Sequence, residues 1–569
     1  MNFKLSILKI LPFVILLIFL NESIAQVKYK ISKELVAEKA MVVSAHPLAS
    51  EAGSEILKKG GNAVDAMVAV HFALAVVYPK AGNIGGGGFM VFRDKNGNAS
   101  TLDFREKAPL EANRNMYLDK SGNAIDSLSR FGHLAVGVPG SVAGMYEAHK
   151  KHGQLPWSEL IAPAIKLAEN GFNITTIEAA ALNENKLKFI QINNHENAFV
   201  KKSSWKAGQK LQQKDLATVL RRIQTEGNDG FYKGKTAELI VEDMKKGGGI
   251  LSLQDLEKYQ AKWRTPIVFD YKKNYKIITM PPPSSGGIVL AMLMQMVEDQ
   301  PLEQMGFHSA AAVHLMAEVE RRAYSDRAQH LGDSDFYPVP IEAMLDKSYA
   351  KSRMSDFNAQ KATASKQIKA GKPNKTSEQT THYSIVDADG NAVSVTTTLN
   401  GNYGSSVIVK GAGIILNNEM DDFSAKPGSP NMFGLLGAEA NAIQPEKRML
   451  SSMTPTIVEK DGKLLMVVGT PGGATIITSV FQVIMNVIEF RLTLQEAVQN
   501  TRFHHQWLPD QIYHEKNCFD AATAKKLKEM GHTLKERGQI GQVEAILVRP
   551  DGKLEGAADK RGDDSASGF

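Results

Sequence analysis

Two short turns in the last third of the chain constrain its fold more than any other feature. Asp389-Gly390 lies between two runs of apolar and β-branched residues, and Asp461-Gly462 lies between two more. An Asp-Gly pair flanked by such runs is the strongest short-range signal for a two-residue β-hairpin. The sequence therefore predicts two antiparallel hairpins within about 90 residues of each other.

The first hairpin brings polar residues to Thr380. If the turn has two central residues, Thr381 faces Thr398, and Thr380 lies opposite Leu399 with Thr398 and Asn400 on its diagonals. A longer turn would shift every pair along the ladder. In either register, polar side chains lie beside Thr380.

Thr380 also lies where the character of the chain changes. The preceding run, 347–378, is rich in Lys, Ala and Ser and has almost no large apolar residue after Phe357, so it is expected to pack poorly and to be mobile. If the Gln379–Thr380 bond is cut, Thr380 carries a free α-amino group beside its hydroxyl. One residue would then supply both a nucleophile and a base.

The second hairpin leads into a glycine pair. Ser451 would face Gly472 if the ladder extended that far, with Ser452 one pair closer to the turn. Gly472 and Gly473 then open a helix predicted over 474–490. Unpaired N–H groups at a helix start can bind an anion or a developing oxyanion. A plain strand-to-helix turn explains the same residues and, on sequence alone, is favoured.

Charged residues after two strands are further candidates. Arg105 has the planar fork that suits a carboxylate, although a structural ion pair with Asp103 or Glu106 is slightly favoured by the residues alone. Three acids in 419–422 follow the apolar run 414–416 and suit an ammonium group or a metal ion. A solvated loop explains these acids equally well.

The N-terminus has the pattern of a secretory signal. Lys4 and Lys9 lie in a short basic region, and an apolar core follows over 10–20. The stretch after this core ends in small residues at Ala25. The apolar run is shorter than the roughly 20 residues that span a bilayer, so export with cleavage after residue 25 is favoured over a membrane anchor.

Composition excludes several classes of protein. The 569 residues are 43% hydrophobic, which allows a large core in two or more domains or in one interleaved unit. The single Cys518 excludes an intrachain disulfide and a multi-cysteine metal site. The net charge of +6 is not concentrated on an aromatic-rich face, so it gives little support for nucleic-acid binding.

Taken in order, the motifs of this chain resemble the gamma-glutamyltranspeptidase family over nearly all of the sequence after residue 25. The motifs are 61–66, 85–88, 103–105, 380–384, 396–400, 416–423, 450–453, 470–473 and 502–507. The resemblance implies an α+β fold, the four-layer αββα sandwich of the N-terminal nucleophile hydrolases. It also implies a precursor that cuts itself into a large subunit, 26–379, and a small subunit, 380–569, and that needs no cofactor and no metal.

The resemblance also implies a role for each matched residue. Thr380 would cleave its own peptide bond and then act as the nucleophile, with its α-amino group as the base; such amines have a pKa of about 7.7 to 8.0. The other implied roles are support of Thr380 by Thr398, an oxyanion hole at Gly472 and Gly473, binding of a substrate α-carboxylate by Arg105, Ser451 and Ser452, and binding of its α-ammonium by Asn400, Glu419 and Asp422.

Two positions depart from a common family pattern. The Pro/Gly-rich loop 427–434 resembles the lid of some bacterial members, but it has Phe433 where they often place a Tyr. Phe433 can cover a pocket, yet it has no hydroxyl to donate a hydrogen bond. Glu419 replaces a Gln found in some members, and its extra negative charge would strengthen ammonium binding.

The expected activity is transfer of the γ-glutamyl group of glutathione or related amides to water, an amino acid or a dipeptide. A β-lactam side-chain acylase or a poly-γ-glutamate depolymerase on the same scaffold is an alternative. A non-catalytic binding protein is a third possibility, against which the intact set of Thr380, Asn400, Asp422 and the glycine pair argues.

Overall fold

The computed structural model of this protein describes residues 29–371 and 381–569. The predicted signal peptide, 1–25, and the predicted cleavage point between Gln379 and Thr380 lie outside the described residues. Within the described ranges, no helix has both the length and the apolar character needed to cross a bilayer.

Strands and helices alternate along the described chain in several blocks. The strands are β1 (Glu34–Ala37), β2 (Met41–Ser44), β3 (Gly87–Arg93), β4 (Ala99–Asp103), β5 (Phe172–Asn173), β6 (Lys210–Leu211), β7 (Lys262–Arg264), β8 (Ile267–Tyr271), β9 (Tyr275–Thr279), β10 (Thr381–Val386), β11 (Ala392–Thr398), β12 (Thr456–Lys460), β13 (Lys463–Gly469), β14 (Phe503–His504), β15 (Ile512–His514), β16 (Leu534–Glu536), β17 (Glu544–Val548), β18 (Leu554–Ala558) and β19 (Ser565–Gly568).

The helices are α1 (Pro47–Lys58), α2 (Ala63–Val77), α3 (Asp126–Arg130), α4 (Ser141–His152), α5 (Trp157–Asn170), α6 (Thr176–Ile192), α7 (Lys214–Glu226), α8 (Asp229–Tyr232), α9 (Gly234–Lys246), α10 (Leu253–Lys258), α11 (Gly286–Val297), α12 (Leu302–Met305), α13 (Ala310–His330), α14 (Ile341–Leu345), α15 (Lys347–Arg353), α16 (Ile476–Ile488), α17 (Leu494–Gln499) and α18 (Ala521–Glu529). Short 3-10 helices include Glu419–Asp422 and Gly473–Thr475.

Two seven-stranded antiparallel sheets form the centre of the molecule. Sheet I has the strand order β19-β2-β10-β11-β3-β4-β7, and sheet II has the order β1-β18-β17-β13-β12-β9-β8. One apolar cluster joins their facing sides, with Val43 and Phe89 from sheet I beside Ile457 and Val467 from sheet II. The two sheets therefore pack directly on each other.

Helices cover the outer face of each sheet. The cluster outside sheet I joins Val395 of β11 to Phe72 of α2 and to residues of α1, α4 and α5. The cluster outside sheet II joins Met466 of β13 to Leu290 of α11 and Ile477 of α16. Because both faces of each sheet are covered, a strand such as β3 is buried along its whole length. The layers run helix, sheet, sheet, helix, which confirms the αββα expectation.

Each sheet combines strands from both sides of residue 379. In sheet I, β10 pairs with β2 and β11 pairs with β3. In sheet II, β12 pairs with β9. The segments before and after residue 379 therefore share both sheets and one core, so they form one interleaved unit.

Both predicted hairpins form, but their registers differ from the prediction. In the first, Thr381 pairs with Thr397 and not with Thr398. The reason is a longer turn: the N–H of Asp387 donates to the carbonyl of Asn391 over 3.0 Å, so the two-residue turn assumed from the sequence is wrong.

The second hairpin follows the predicted register only next to its turn. Lys460 pairs with Lys463, but a bulge between Val458 and Glu459 shifts the ladder by one residue beyond that point. The ladder does not extend to Ser451, which instead forms a bridge with Ser284. The predicted pairing of Ser451 with Gly472 is therefore wrong.

The described part of the Lys-rich run, 347–371, packs better than its composition suggested. It begins with α15, and the indole N–H of Trp507 donates to the carbonyls of Ser365 (3.0 Å) and Ile368 (3.1 Å). The N–H of Gly371 donates to the buried carboxylate of Asp326 over 2.6 Å. Hydrogen bonds to buried polar groups hold this run, a kind of stabilisation that hydrophobic patterning does not detect.

Candidate active site

A cavity of about 370 Å³ gathers residues from three separate segments that the sequence singled out: 396–400, the loop 427–434 and 470–473. Its lining includes Thr398, Asn400, Phe433, Gly472 and Gly473. Each of these was expected at the site from the sequence. Thr381, the first described residue after the gap, pairs with Thr397, the neighbour of Thr398.

Thr398 and Asn400 are positioned by the end of β11. Asn400 has a φ of 68°, a left-handed conformation that Asn tolerates better than most residues, and its N–H donates to Thr398 Oγ1 over 2.6 Å. Its Nδ2 donates to the carbonyl of Asn418 over 3.0 Å. Its Oδ1 is buried and accepts no hydrogen bond within the described chain. A buried acceptor in this state suits a donor brought by a ligand, such as an ammonium group.

Asn83 connects this strand end to its surroundings, although no sequence motif indicated it. Its Nδ2 donates to the carbonyl of Thr398 over 2.8 Å, while its Oδ1 accepts hydrogen bonds from the N–H of Gly86 (2.9 Å) and from Ser141 Oγ (2.7 Å). Asn83 is 4% exposed. No local pattern marks it, apart from its position just before the glycine run 85–88.

The glycine run 85–88 allows close packing at the site. A Cβ on Gly86 would lie 1.9 Å from the carbonyl oxygen of Thr398, and one on Gly87 would lie 2.5 Å from Glu106 Oε2. Side chains cannot be accommodated at such distances. The backbone of this run therefore passes so close to other segments that only glycine fits there.

Arg105 is buried among three carboxyl groups. Its guanidinium contacts the Glu419 carboxylate directly, lies 2.6 Å from Asp422 Oδ2 and lies 3.7 Å from Glu106 Oε2. Asp103, which the sequence offered as a structural partner, accepts the backbone N–H of Arg105 over 2.9 Å, while its carboxylate pairs with the side chain of Arg264 over 2.7 Å. Arg105, predicted to bind a carboxylate, thus contacts Glu419 and Asp422, which were predicted to bind an ammonium group. More than 300 positions separate Arg105 from these two acids in the chain.

The electrostatics of this cluster favour an additional cation. Burial raises the pKa of Glu106 to about 7, although Arg105 lowers it in part. Burial also raises the pKa of Glu419 well above its usual range, again opposed by Arg105. A single guanidinium cannot neutralise three carboxylates, so the cluster either holds protons or attracts a positive group. From the sequence, Glu106 was expected only as a structural partner of Arg105.

Ser451 and Ser452 come directly after two residues, Met449 and Leu450, whose carbonyl groups Arg105 contacts. Arg105 Nε donates to the carbonyl of Met449 over 3.1 Å. Ser451 Oγ accepts the N–H of Met453 over 3.2 Å. Ser452 Oγ lies 3.4 Å from Nη2 of Arg327, a buried residue that no sequence motif indicated. The two serines are therefore placed beside the Arg105 cluster by chain continuity.

Gly472 and Gly473 form a tight turn between β13 and the 3-10 helix. Their φ angles are 140° and 67°, in the region that favours glycine. A Cβ on Gly472 would lie 2.7 Å from Thr475 Oγ1 and 3.1 Å from Gly541 Cα. Within the described chain, neither glycine N–H donates a hydrogen bond. Two unused N–H groups at a cavity wall can stabilise an oxyanion.

The predicted lid loop is attached to the acidic residues below it. The N–H of Met432 donates to Asp421 Oδ2 over 3.1 Å, and Asn431 Nδ2 donates to Asp422 Oδ1 over 3.3 Å. Phe433 lines the cavity, and its carbonyl accepts a hydrogen bond from Gln506 over 3.4 Å. Backbone and amide contacts thus hold this loop, and Phe433 also packs against the apolar cluster outside sheet II.

One group of possible metal ligands occurs in the described residues, away from these motifs. It consists of His314, Glu318 and His532, all buried. His314 Nδ1 and His532 Nε2 hydrogen-bond to each other over 2.7 Å, and the Glu318 carboxylate pairs with Arg321 and Arg322. These ligand atoms already have partners, and the adjacent guanidinium groups disfavour a bound cation.

Known proteins resemble this chain in both sequence and fold. The sequence profile of the family described as gamma-glutamyltranspeptidase matches residues 49–569. The glutathione hydrolase proenzyme of Escherichia coli strain K12 is 47% identical over 542 residues, which cover 94% of this chain and 92% of that protein.

Two solved structures support the same assignment. The crystal structure of Helicobacter pylori gamma-glutamyltranspeptidase matches with a TM-score of 0.57 and 49% identity, covering 58% of this chain and 94% of that chain. The crystal structure of a cephalosporin acylase from Bacillus halodurans matches with a TM-score of 0.84 and 27% identity, covering 94% and 97% of the two chains. This protein therefore belongs to the gamma-glutamyltranspeptidase family.

Proposed function

We propose that this protein is a self-processed enzyme that cleaves the γ-glutamyl amide bond of glutathione and related compounds. The γ-glutamyl group passes to water, to an amino acid or to a dipeptide. The observation that carries the proposal is the contact of Arg105 with Glu419 and Asp422, which offers both charges needed to hold the α-amino-acid end of a γ-glutamyl group. The relatives named glutathione hydrolase proenzyme support the same activity.

In the proposed reaction, Thr380 acts as the nucleophile once the Gln379–Thr380 bond has been cut. Its hydroxyl oxygen attacks the γ-carbonyl carbon, and its α-amino group takes the hydroxyl proton and gives it to the leaving amine. A γ-glutamyl ester of Thr380 remains. Water or an acceptor amine then attacks the carbonyl carbon of this ester, the bond from that carbon to the Thr380 oxygen breaks, and the α-amino group passes the proton of the attacking group to this oxygen.

The cavity wall supplies stabilisation for this chemistry. The N–H groups of Gly472 and Gly473 would donate to the oxyanion that forms on the γ-carbonyl oxygen, and preorganised donors of this kind contribute about 10²- to 10³-fold each in rate. Thr398, which Asn83 holds through its carbonyl, would support the Thr380 hydroxyl.

Recognition of the donor uses the charged cluster. Arg105, Ser451 and Ser452 would bind the α-carboxylate, and Asn400, Glu419 and Asp422 would bind the α-ammonium. The unpaired Oδ1 of Asn400 and the excess of carboxyl groups over cations around Arg105 both support binding of a positive group.

Processing and export complete the proposal. The large subunit would be 26–379 and the small subunit 380–569, after removal of a signal peptide at 1–25, and the product would be periplasmic or extracellular. The proenzyme names of the relatives support processing of one precursor into two chains. Both sheets contain strands from the two segments, so the cut subunits would remain together.

The decisive experiment replaces Thr380. Thr380→Ala should leave a single full-length chain on a denaturing gel and should release no p-nitroaniline from γ-glutamyl-p-nitroanilide. Thr380→Ser is the matched control, because it keeps a hydroxyl and should still produce two chains. Two chains from Thr380→Ala would show that the nucleophile is a different residue.

A further inference from the structure

One positive charge lines the cavity that also contains Thr398, Asn400 and the glycine pair. Among the described residues that form the cavity wall, Lys80 is the single one with a charged side chain. The others near it are neutral, including Gln539 and Gln542. A positive charge in an otherwise neutral wall favours an anion in this part of the cavity, and the carboxyl groups of Asp564, Glu184 and Asp563 act on Lys80 only from outside the lining.

The backbone holds Lys80 in a defined place. The N–H of Gly82 donates to the carbonyl of Tyr78 over 2.8 Å, which closes a turn around Lys80. The carbonyl of Lys80 itself accepts the N–H of Tyr403 over 2.9 Å. Asn83 follows this turn and binds Thr398, so Lys80 and the Thr398 strand end are fixed to each other through one short segment.

The ammonium group of Lys80 has no hydrogen-bond or ion-pair partner within the described chain. Partial burial lowers its pKa, and Asp564, Glu184 and Asp563 oppose this effect from beyond contact distance. The Asp564 carboxylate accepts two hydrogen bonds from Gln542 Nε2, at 2.9 and 2.8 Å. A half-buried ammonium without a partner is stabilised by any anion that enters the cavity.

Glutathione carries two carboxylates that could supply this anion. The α-carboxylate of its γ-glutamyl part is assigned to the separate, fully buried cluster around Arg105. The other is the C-terminal carboxylate of the cysteinylglycine part, beyond the scissile bond. Two extended residues span about 7 Å, so this carboxylate extends well past the reacting carbonyl and into the far part of the cavity.

We propose that Lys80 binds the C-terminal carboxylate of the peptide on the leaving-group side of the scissile bond. The same contact serves a dipeptide acceptor, which enters the place that the leaving dipeptide vacates. Lys80 is therefore a specificity-determining residue for peptide-like donors and acceptors. This inference rests on the proposed function, since it assigns one end of the same substrate.

The test compares donors with and without that carboxylate in the processed enzyme. Lys80→Gln should raise KM for glutathione on the order of tenfold, the effect of losing one charge-assisted hydrogen bond, and leave KM for γ-glutamyl-p-nitroanilide unchanged. Lys80→Arg should keep most of the affinity for glutathione. Lys245→Gln, at an exposed lysine on α9, is the matched control and should change neither KM.

Acceptors provide a second readout that structural damage would not imitate. With the anilide as donor, Lys80→Gln should weaken use of glycylglycine but not of glycylglycinamide, which lacks the carboxylate. Equal KM values for glutathione in Lys80→Gln and the parent enzyme would overturn the inference, as would equal losses with the anilide. A parent enzyme that releases no p-nitroaniline would instead overturn the proposed function, and this inference with it.

Discussion

Removal of the Arg105 side chain is expected to destabilise the protein in a pH-dependent way. Arg105→Ala leaves the carboxyl groups of Glu419, Asp422 and Glu106 in a site that is fully buried. Breaking a buried ion pair by removing one partner costs about 3–5 kcal/mol, because the remaining charges are unpaired and have no water.

The corresponding change in melting temperature is modest for a chain of this size. Unfolding entropy is about 2.1 cal/mol/K per residue, so 569 residues lose about 1 °C for each kcal/mol. Arg105→Ala should therefore melt about 3–4 °C lower than the parent at pH 8. Differential scanning fluorimetry or calorimetry on the purified protein measures this shift.

The pH dependence follows from the direction of the pKa changes. Without Arg105, the pKa values of Glu106 and Glu419 in the folded protein rise further above their unfolded values, so the folded state binds more protons. The penalty is small at pH values where these groups are protonated in both states, and it grows as the pH rises through their folded pKa values. The deficit of Arg105→Ala should thus be smaller at pH 5 than at pH 8.

An exposed arginine gives the control. Arg114 pairs with Glu439 at the surface, where their side chains are 49% and 58% exposed, and Arg114→Ala should cost less than about 1 kcal/mol at either pH. Adding Glu419→Gln to Arg105→Ala should restore part of the lost stability. The reasoning is refuted if Arg105→Ala melts no lower than Arg114→Ala, or if its deficit is the same at pH 5 and pH 8.

Three further predictions address other parts of the site. Glu106→Gln should gain stability relative to the parent as the pH rises from 4.5 to about 7, because the raised pKa of Glu106 makes its ionisation unfavourable in the folded state. Denaturant midpoints of both proteins at pH 5 and pH 8 measure this gain. Gly472→Ala should lower kcat for the anilide about 10²-fold. Gly462→Ala is the control and should leave kcat unchanged, because Gly462 also has a left-handed conformation but an added Cβ there would have no atom within 4 Å; similar losses in both variants would contradict a role for the Gly472 turn. Asn83→Asp loses the hydrogen-bond donor to the Thr398 carbonyl and should lower kcat on the order of tenfold without preventing folding. Steady-state kinetics and circular dichroism measure these two properties, and an unchanged kcat would show that this hydrogen bond does not position the site.

Much of the local structure was predictable from the sequence. The helix over Ala63–Val77 begins at Asn62, whose side chain and that of Asp65 form a reciprocal cap, and this pattern is readable in the motif 61–66. The turn residues at Gly462 and Gly390 indicated both hairpins. These features depend on interactions within a few residues, so local sequence determines them.

The local sequence did not determine the registers of the two hairpins. The side chain of Asp387 accepts hydrogen bonds from the N–H groups of Asp389 and Asn391 and lengthens the first turn. In the second, a bulge between Val458 and Glu459 shifts the pairing of β12 with β13, while the pairing of β12 with β9 stays in one register. Each change is a choice between turn geometries of similar local energy, and packing in the sheet selects one of them.

By itself, the sequence determined the two hairpins, the cap of the helix over Ala63–Val77 and, through its motifs, the family, whose resemblance implied the interleaved α+β class. Only the tertiary structure showed that Arg105 lies in contact with Glu419 and Asp422, that Asn83 holds Thr398, and that Lys80 lines the cavity without a side-chain partner among residues 29–371 and 381–569. The physical reason is that hydrogen-bond caps and turns act between near neighbours in the chain. Charge clusters and cavities form between residues hundreds of positions apart, where only packing of the two sheets and their helices decides which groups meet.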